Sequence, residues 1–199
     1  MRPPTLLRSV GLAGAMVLAA VVAAPSAIGG GGPTIAGSGT SFTPANVKVD
    51  QGTQVTWAFT GTHTSTSNQG FWNSGTRSGG SFSETMRSAG RFPYHCTFHV
   101  ASGMKGSVVV PLKAEGSPST GWTLRWASAP ASSGSGRAFD VQYRRQGTTT
   151  WHDLRTDTTG ATALYNPAQN GTYELRARTT NTAQHKESGW SPTITRQIS

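Results

Sequence analysis

After residue 30 apolar and polar residues alternate in short runs, and no stretch repeats apolar residues at three- and four-residue intervals for long. Period-2 alternation is the signature of half-buried β-strands. In the first part of the chain the runs are Val47-Lys48-Val49, residues 54–59, Ser81-Phe82-Ser83, residues 91–96 and residues 106–110. Asp50-Gln51-Gly52, Ser78-Gly79-Gly80 and Ala89-Gly90 read as the turns between them. A second series comprises residues 123–126, 139–144, 151–154 and 171–178, the last with Tyr173, Leu175 and Ala177 as its inward set. Residues 112–120, rich in small and polar residues, read as a linker. Each half has roughly 80 residues, small but sufficient for an independent sandwich. The expected fold class is all-β: one sandwich over 34–111 and a second over 121–199, with 113 as its earliest start. The first should then fold, and keep its chemistry, without the second.

The N-terminal segment follows another pattern. Arg2 and Arg8 flank its start, residues 10–24 are almost entirely apolar, and residues 23–27 are small. That is the order of a secretory signal peptide, expected over 1–27, with 28–33 a Gly-rich leader. The apolar run is shorter than the ~20 residues that cross a bilayer comfortably, so cleavage is expected in preference to a retained anchor. No Cys follows the signal to carry a lipid. The mature chain is therefore expected to be secreted, periplasmic or on the cell-envelope exterior, with no membrane span.

Composition narrows the chemistry. Only 13% of residues are charged, and the formal net charge is +9. The basic residues are scattered, without the block that nucleic-acid binding would use; a bias toward acidic partners or an anionic envelope remains. There is one Cys, Cys96. In an exported chain it cannot close an internal disulfide, so it is an intermolecular bridge, a reactive thiol, a buried bystander or a metal ligand.

Its neighbours favour the last. Cys96 is followed by His99 and then by Met104, with Gly103 and Gly106 giving a tight loop its freedom. A second imidazole must come from elsewhere, and His63, just past a strand candidate, is the best placed. Two His, one Cys and a weak Met form the donor set of electron-transfer copper sites. Cys-x2-His is also half of a zinc site, but Met is a poor zinc ligand and no second Cys exists. His95 neighbours Cys96 on a strand and should face away. Met86 is expected in the core, and His152 and His185 on the surface. His-x-His pairs of multicopper oxidases, phosphate loops and nucleophile triads are lacking, so the chain is not expected to be an enzyme.

The pattern Cys96-x2-His99-x4-Met104 before a valine-rich strand, with Phe42-x-Pro44, Val47-x-Val49, Gly52 and Val55-x-Trp57 upstream, resembles the plastocyanin branch of the cupredoxins. The resemblance covers 34–111. It implies an eight-stranded Greek-key sandwich, one type 1 copper held by His63, Cys96, His99 and Met104, and outer-sphere electron transfer. It also implies a bridge between the residues after the first His and after the Cys, here Thr64 and Thr97. The interval from His63 to Cys96 is shorter than in plant plastocyanins, and His95 stands where photosynthetic members often carry Tyr. A photosynthetic partner is therefore not implied.

The second half resembles a fibronectin type III domain, with Trp126 in its core and Tyr173 as its corner tyrosine. Ser188-Gly189-Trp190-Ser191-Pro192 is expected to be structural. The combined expectation is a monomeric, exported blue copper protein that exchanges single electrons with a redox partner protein. The second half would be a spacer or bind a cell-surface or matrix ligand. The alternatives are copper sequestration or delivery, and adhesion with a structural copper.

Overall fold

A computed structural model describes residues 31–199; the expected signal peptide and residues 28–30 of the leader lie outside the described residues. The first eight strands are β1 (Thr34–Ser38), β2 (Ser41–Thr43), β3 (Asn46–Lys48), β4 (Thr53–His63), β5 (Thr66–Ser67), β6 (Arg77–Met86), β7 (Gly90–His95) and β8 (Lys105–Val110). They form two four-stranded sheets, ordered β2-β1-β4-β6 and β3-β8-β7-β5, with parallel pairs β1·β4 and β3·β8. This is the expected eight-stranded sandwich. No helix among the described residues is long and apolar enough to cross a membrane.

Alternation explains the core. Val55, Trp57 and Phe59 of β4 point inward, as do Phe92 and Tyr94 of β7 and Val108 and Val110 of β8. Met86 joins them. Trp57 is central, with the rings of Tyr94, Trp72 and Phe82 at 5.3, 5.5 and 5.8 Å. Tyr94 Oη donates to Ala45 O at 3.0 Å, and burial pushes its pKa up to about 12. Gly106 makes this possible: a Cβ there would lie 2.4 Å from Tyr94 Oη.

Two expectations are corrected. Ser78-Gly79-Gly80 is not a turn between strands but part of β6, where Gly79 pairs with Thr60 and Gly80 with Phe59. Thr60↔Gly79 is followed by His63↔Arg77, so β4 carries one extra residue, a bulge with Gly61 at φ 89°. The glycines extend the strand opposite that bulge instead of reversing the chain. The segment expected as a linker, 112–120, is mostly strand β9 (Lys113–Ser117). Its weak apolar content suits an edge strand whose ladder to the next strand, not its side chains, fixes it.

The remaining strands are β10 (Gly121–Arg125), β11 (Arg137–Arg145), β12 (His152–Thr158), β13 (Thr162–Tyr165), β14 (Gly171–Asn181), β15 (Lys186–Glu187) and β16 (Ile194–Ile198). A β13-β10-β9 sheet faces a β12-β11-β14 sheet whose far edge is shared by β15 and β16. Leu124, Trp126, Val141, Leu175 and Ala177 fill the core between them. The Ser188 and Ser191 hydroxyls accept from the Thr179 and Ala177 N–H groups, extending the edge of β14. Trp190 then stacks between Arg176 and Arg178, and Arg176 also covers Trp151.

The two halves meet along a seam. Ala89 and Leu112 belong to the second core. Ala89 N–H donates to Trp126 O at 2.7 Å, Ser128 N–H to Arg87 O at 2.8 Å, and Arg91 and Gly189 exchange two backbone bonds of 2.8 Å. Gln51 Nε2 bridges Pro111 O and Arg125 O at 3.0 and 2.8 Å.

Candidate metal centre

Cys96 follows β7 directly and is buried. The chain then turns back on itself through backbone bonds from His99 N–H to Cys96 O, Ser102 N–H to His99 O and Met104 N–H to His99 O. Cys96 N–H donates to Met104 O at 3.1 Å, closing the loop. Gly103, at φ 87°, takes the one position where a side chain would be strained. Met104 is fully buried beside Cys96 in the core cluster, whereas His99 is half-buried.

His63 arrives from the other sheet, at the end of the bulged strand β4, and is buried. Its Nε2–H donates to Thr60 O at 3.1 Å, which leaves Nδ1 as the free nitrogen facing Cys96. Cys96 Sγ lies 3.8 Å from His63 Nδ1 and 3.5 Å from His99 Nδ1. One ligand atom from each of the three residues falls within 4.8 Å of the others. Two donors about 2.0–2.3 Å from a common ion, at roughly 110–120°, are about 3.5–3.8 Å apart. The three groups therefore fit a single metal ion of soft-to-borderline character.

Around them lies a polar frame. Thr64 N–H donates to Cys96 Sγ at 3.4 Å. Thr64 Oγ1 lies 3.3 Å from Thr97 Oγ1, accepts from Thr97 N–H at 2.9 Å and accepts from Thr66 Oγ1 at 3.1 Å. Ser65, next in sequence, is locked by three bonds: its N–H to Ser74 Oγ, Ser74 N–H to its carbonyl, and Trp72 Nε1–H to its hydroxyl at 2.9 Å. Thr60, Thr66 and Ser65 carried no signal in the sequence, because small hydroxylated residues are everywhere in this chain; Trp72 lies in no strand candidate and carried none either. The structure keeps His95 out of the cluster: its Nδ1–H donates to Asn68 Oδ1 at 2.7 Å. His152 and His185 are exposed in the second half. Phe98 and Val100 flank His99 on the surface, 54% and 38% exposed.

No protein-family model matches the chain, and no curated protein matches it. Among solved structures, it is similar to an oxidised plastocyanin from Dryopteris crassirhizoma, at 18% identity and a TM-score of 0.34, covering 39% of this chain and 98% of that one. It is also similar to an amicyanin from Paracoccus versutus, at 20% identity and a TM-score of 0.35, covering 40% and 80%. A purple cupredoxin from Nitrosopumilus maritimus gives 24% and 0.33 over 39% and 97%. Scores this low carry no weight beside the geometry above.

Proposed function

We propose that the chain is an exported blue copper protein that carries single electrons through one Cu(I)/Cu(II) site held by His63, Cys96, His99 and Met104. The observation that carries this reading is the convergence of two imidazole Nδ1 atoms on one buried thiol, at 3.5 and 3.8 Å, next to a loop that buries Met104. Copper, when bound, supplies the one-electron couple. The protein's part is to hold the donors in one arrangement that suits both oxidation states. The Thr60 carbonyl fixes the His63 ring, and the Cys96–Met104 backbone bond fixes the loop. The thiolate is kept from water by the aromatic core. His99 is the donor nearest solvent, and exposed Phe98 and Val100 beside it offer a partner protein an apolar landing surface.

The second half is read as a fibronectin type III-like spacer or binding module for a cell-surface or matrix ligand. Tyr173 Oη donates to Gln169 O at 2.8 Å, the geometry of a corner tyrosine, and this supports that reading. No catalytic role is assigned, and the working state is read as a monomer.

Cu(II) titration of the full chain, followed by absorption spectroscopy, tests the proposal. One equivalent of copper should give an intense thiolate charge-transfer band, and Cys96→Ser should abolish it. Zinc bound in preference to copper, or a band that survives in the serine variant, would sink the assignment.

A further inference from the structure

The second half also reaches the frame of the metal centre. Asn181, the last residue of β14, is buried, and its side-chain Nδ2 donates to Gln69 O and Gly70 O at 3.0 and 3.1 Å. Its Oδ1 accepts from Gln184 N–H at 3.2 Å, which sets the orientation of the amide. Gly70 stands at φ 72°, and a Cβ there would fall 2.1 Å from Gln184 Oε1. The chain between β5 and β6 is thus held directly against the second half.

Two routes lead from that loop to Cys96. On the first, Asn68, one residue before Gln69, donates its N–H to Pro93 O at 3.0 Å and accepts from His95 Nδ1–H at 2.7 Å. Both partners lie on the strand that delivers Cys96. On the second, Gly70 N–H donates to Ser67 O, Ser67 N–H donates to Trp72 O, and the Trp72 indole holds Ser65. Ser65 follows Thr64, whose N–H points at Cys96 Sγ. We infer that Asn181 is a positioning residue of the metal centre, acting through residues 65–72 on the hydrogen bond to the cysteine sulfur. The inference rests on the copper reading above.

The direction of the effect follows from charge. A hydrogen bond to sulfur stabilises the state with more electron density on it, the Cu(I) state. Loosening the loop weakens that bond and lowers the reduction potential. Gln51 provides the comparison. It is also a buried amide whose Nε2 bridges two backbone carbonyls across the seam. It precedes β4, however, and His63 ends that 11-residue strand, roughly 35 Å away at 3.2–3.4 Å per residue.

The experiment compares the copper-loaded full chain with Asn181→Ala and Gln51→Ala by protein-film voltammetry, EPR and the charge-transfer band. Denaturation of the copper-free forms gives the stability lost by each. The expected result is that both variants lose stability, but only Asn181→Ala moves the potential downward and alters the copper hyperfine splitting. If Asn181→Ala fails to fold, Asn181→Leu gives the same readout, since it nearly keeps the volume and removes the donor without adding a charge that would move the potential by itself. An unshifted potential in the Asn181 variant, or equal shifts in both variants, overturns the inference while the copper reading stands. Absence of the band in the unaltered chain overturns the copper reading instead.

Discussion

Removing the hydroxyl of Thr64 should loosen the frame of the metal centre while leaving its shape intact. Thr64→Val is nearly isosteric, so no cavity opens, and the backbone N–H to Cys96 Sγ is retained. What goes is the acceptor for Thr97 N–H at 2.9 Å and for Thr66 Oγ1 at 3.1 Å, together with the 3.3 Å contact to Thr97 Oγ1. Thr66 Oγ1 keeps only a 3.5 Å contact to Asn73 Oδ1, in an exposed setting where water can replace what is lost. Thr97 N–H is partly buried and has no other acceptor within the frame. Net hydrogen bonds of about 0.5–1.5 kcal/mol, with a stranded donor at the lower end of ~1–3 kcal/mol, give a loss of about 1–2 kcal/mol. Thr97→Val removes a single long hydroxyl contact on an exposed side chain and should cost under ~0.5 kcal/mol. The double variant should cost less than the sum, because the Oγ1–Oγ1 contact is counted in both single losses. Urea denaturation of the copper-free full chain measures all three, and keeping copper out separates the frame from metal affinity. A Thr64→Val chain within experimental error of the unaltered protein would refute the hub role. Strict additivity in the cycle would refute the direct Thr64–Thr97 coupling.

Other outcomes follow from the same geometry. On the copper reading proposed above, Met104→Leu should retain copper and raise the potential in voltammetry, because a thioether would be a weak donor that favours Cu(II); metal loss would contradict that role. Burial pushes the Tyr94 hydroxyl up to about 12, from the ordinary tyrosine pKa of about 10. Stability from this group is therefore complete below pH 10 and falls as pH rises toward 12, by roughly 2–3 kcal/mol at 1.36 kcal/mol per unit. Tyr94→Phe should lose the bond to Ala45 O at every pH and show a flatter stability curve from pH 10 to 12; curves that stay parallel would exclude Tyr94 as the cause. A chain cut after residue 112 exposes Leu112 and Ala89, removes one of the two carbonyls that Gln51 Nε2 bridges and removes the donor to Arg87 O. It should unfold at a lower urea midpoint than the full chain, and equal midpoints would show that the seam contributes nothing to the first sandwich.

The sequence alone determined what depends on short-range spacing. Cys96 and His99 lie three residues apart, and the backbone bonds of their loop run among neighbouring residues, so the convergence of this pair could be read directly. Alternation likewise marked the inward faces of β4, β7, β8 and β14, because strand period and burial share one rule. His63 was found only by its place after a strand. The stretch of β6 opposite the β4 bulge was misread, since Gly79-Gly80 signals a turn equally well. The strands β1, β2, β5, β9, β13, β15 and β16, of two to five residues each, are too short for their alternation to stand out. Their place is set by the strands beside them. The tertiary structure decided the rest. Asn181 is one asparagine among many polar residues, and its partners are the carbonyls of Gln69 and Gly70, which any residue would supply. A contact made to backbone leaves no mark in the identity of its acceptor. It exists only once sheet register and the seam have brought residues more than 100 positions apart within hydrogen-bonding distance.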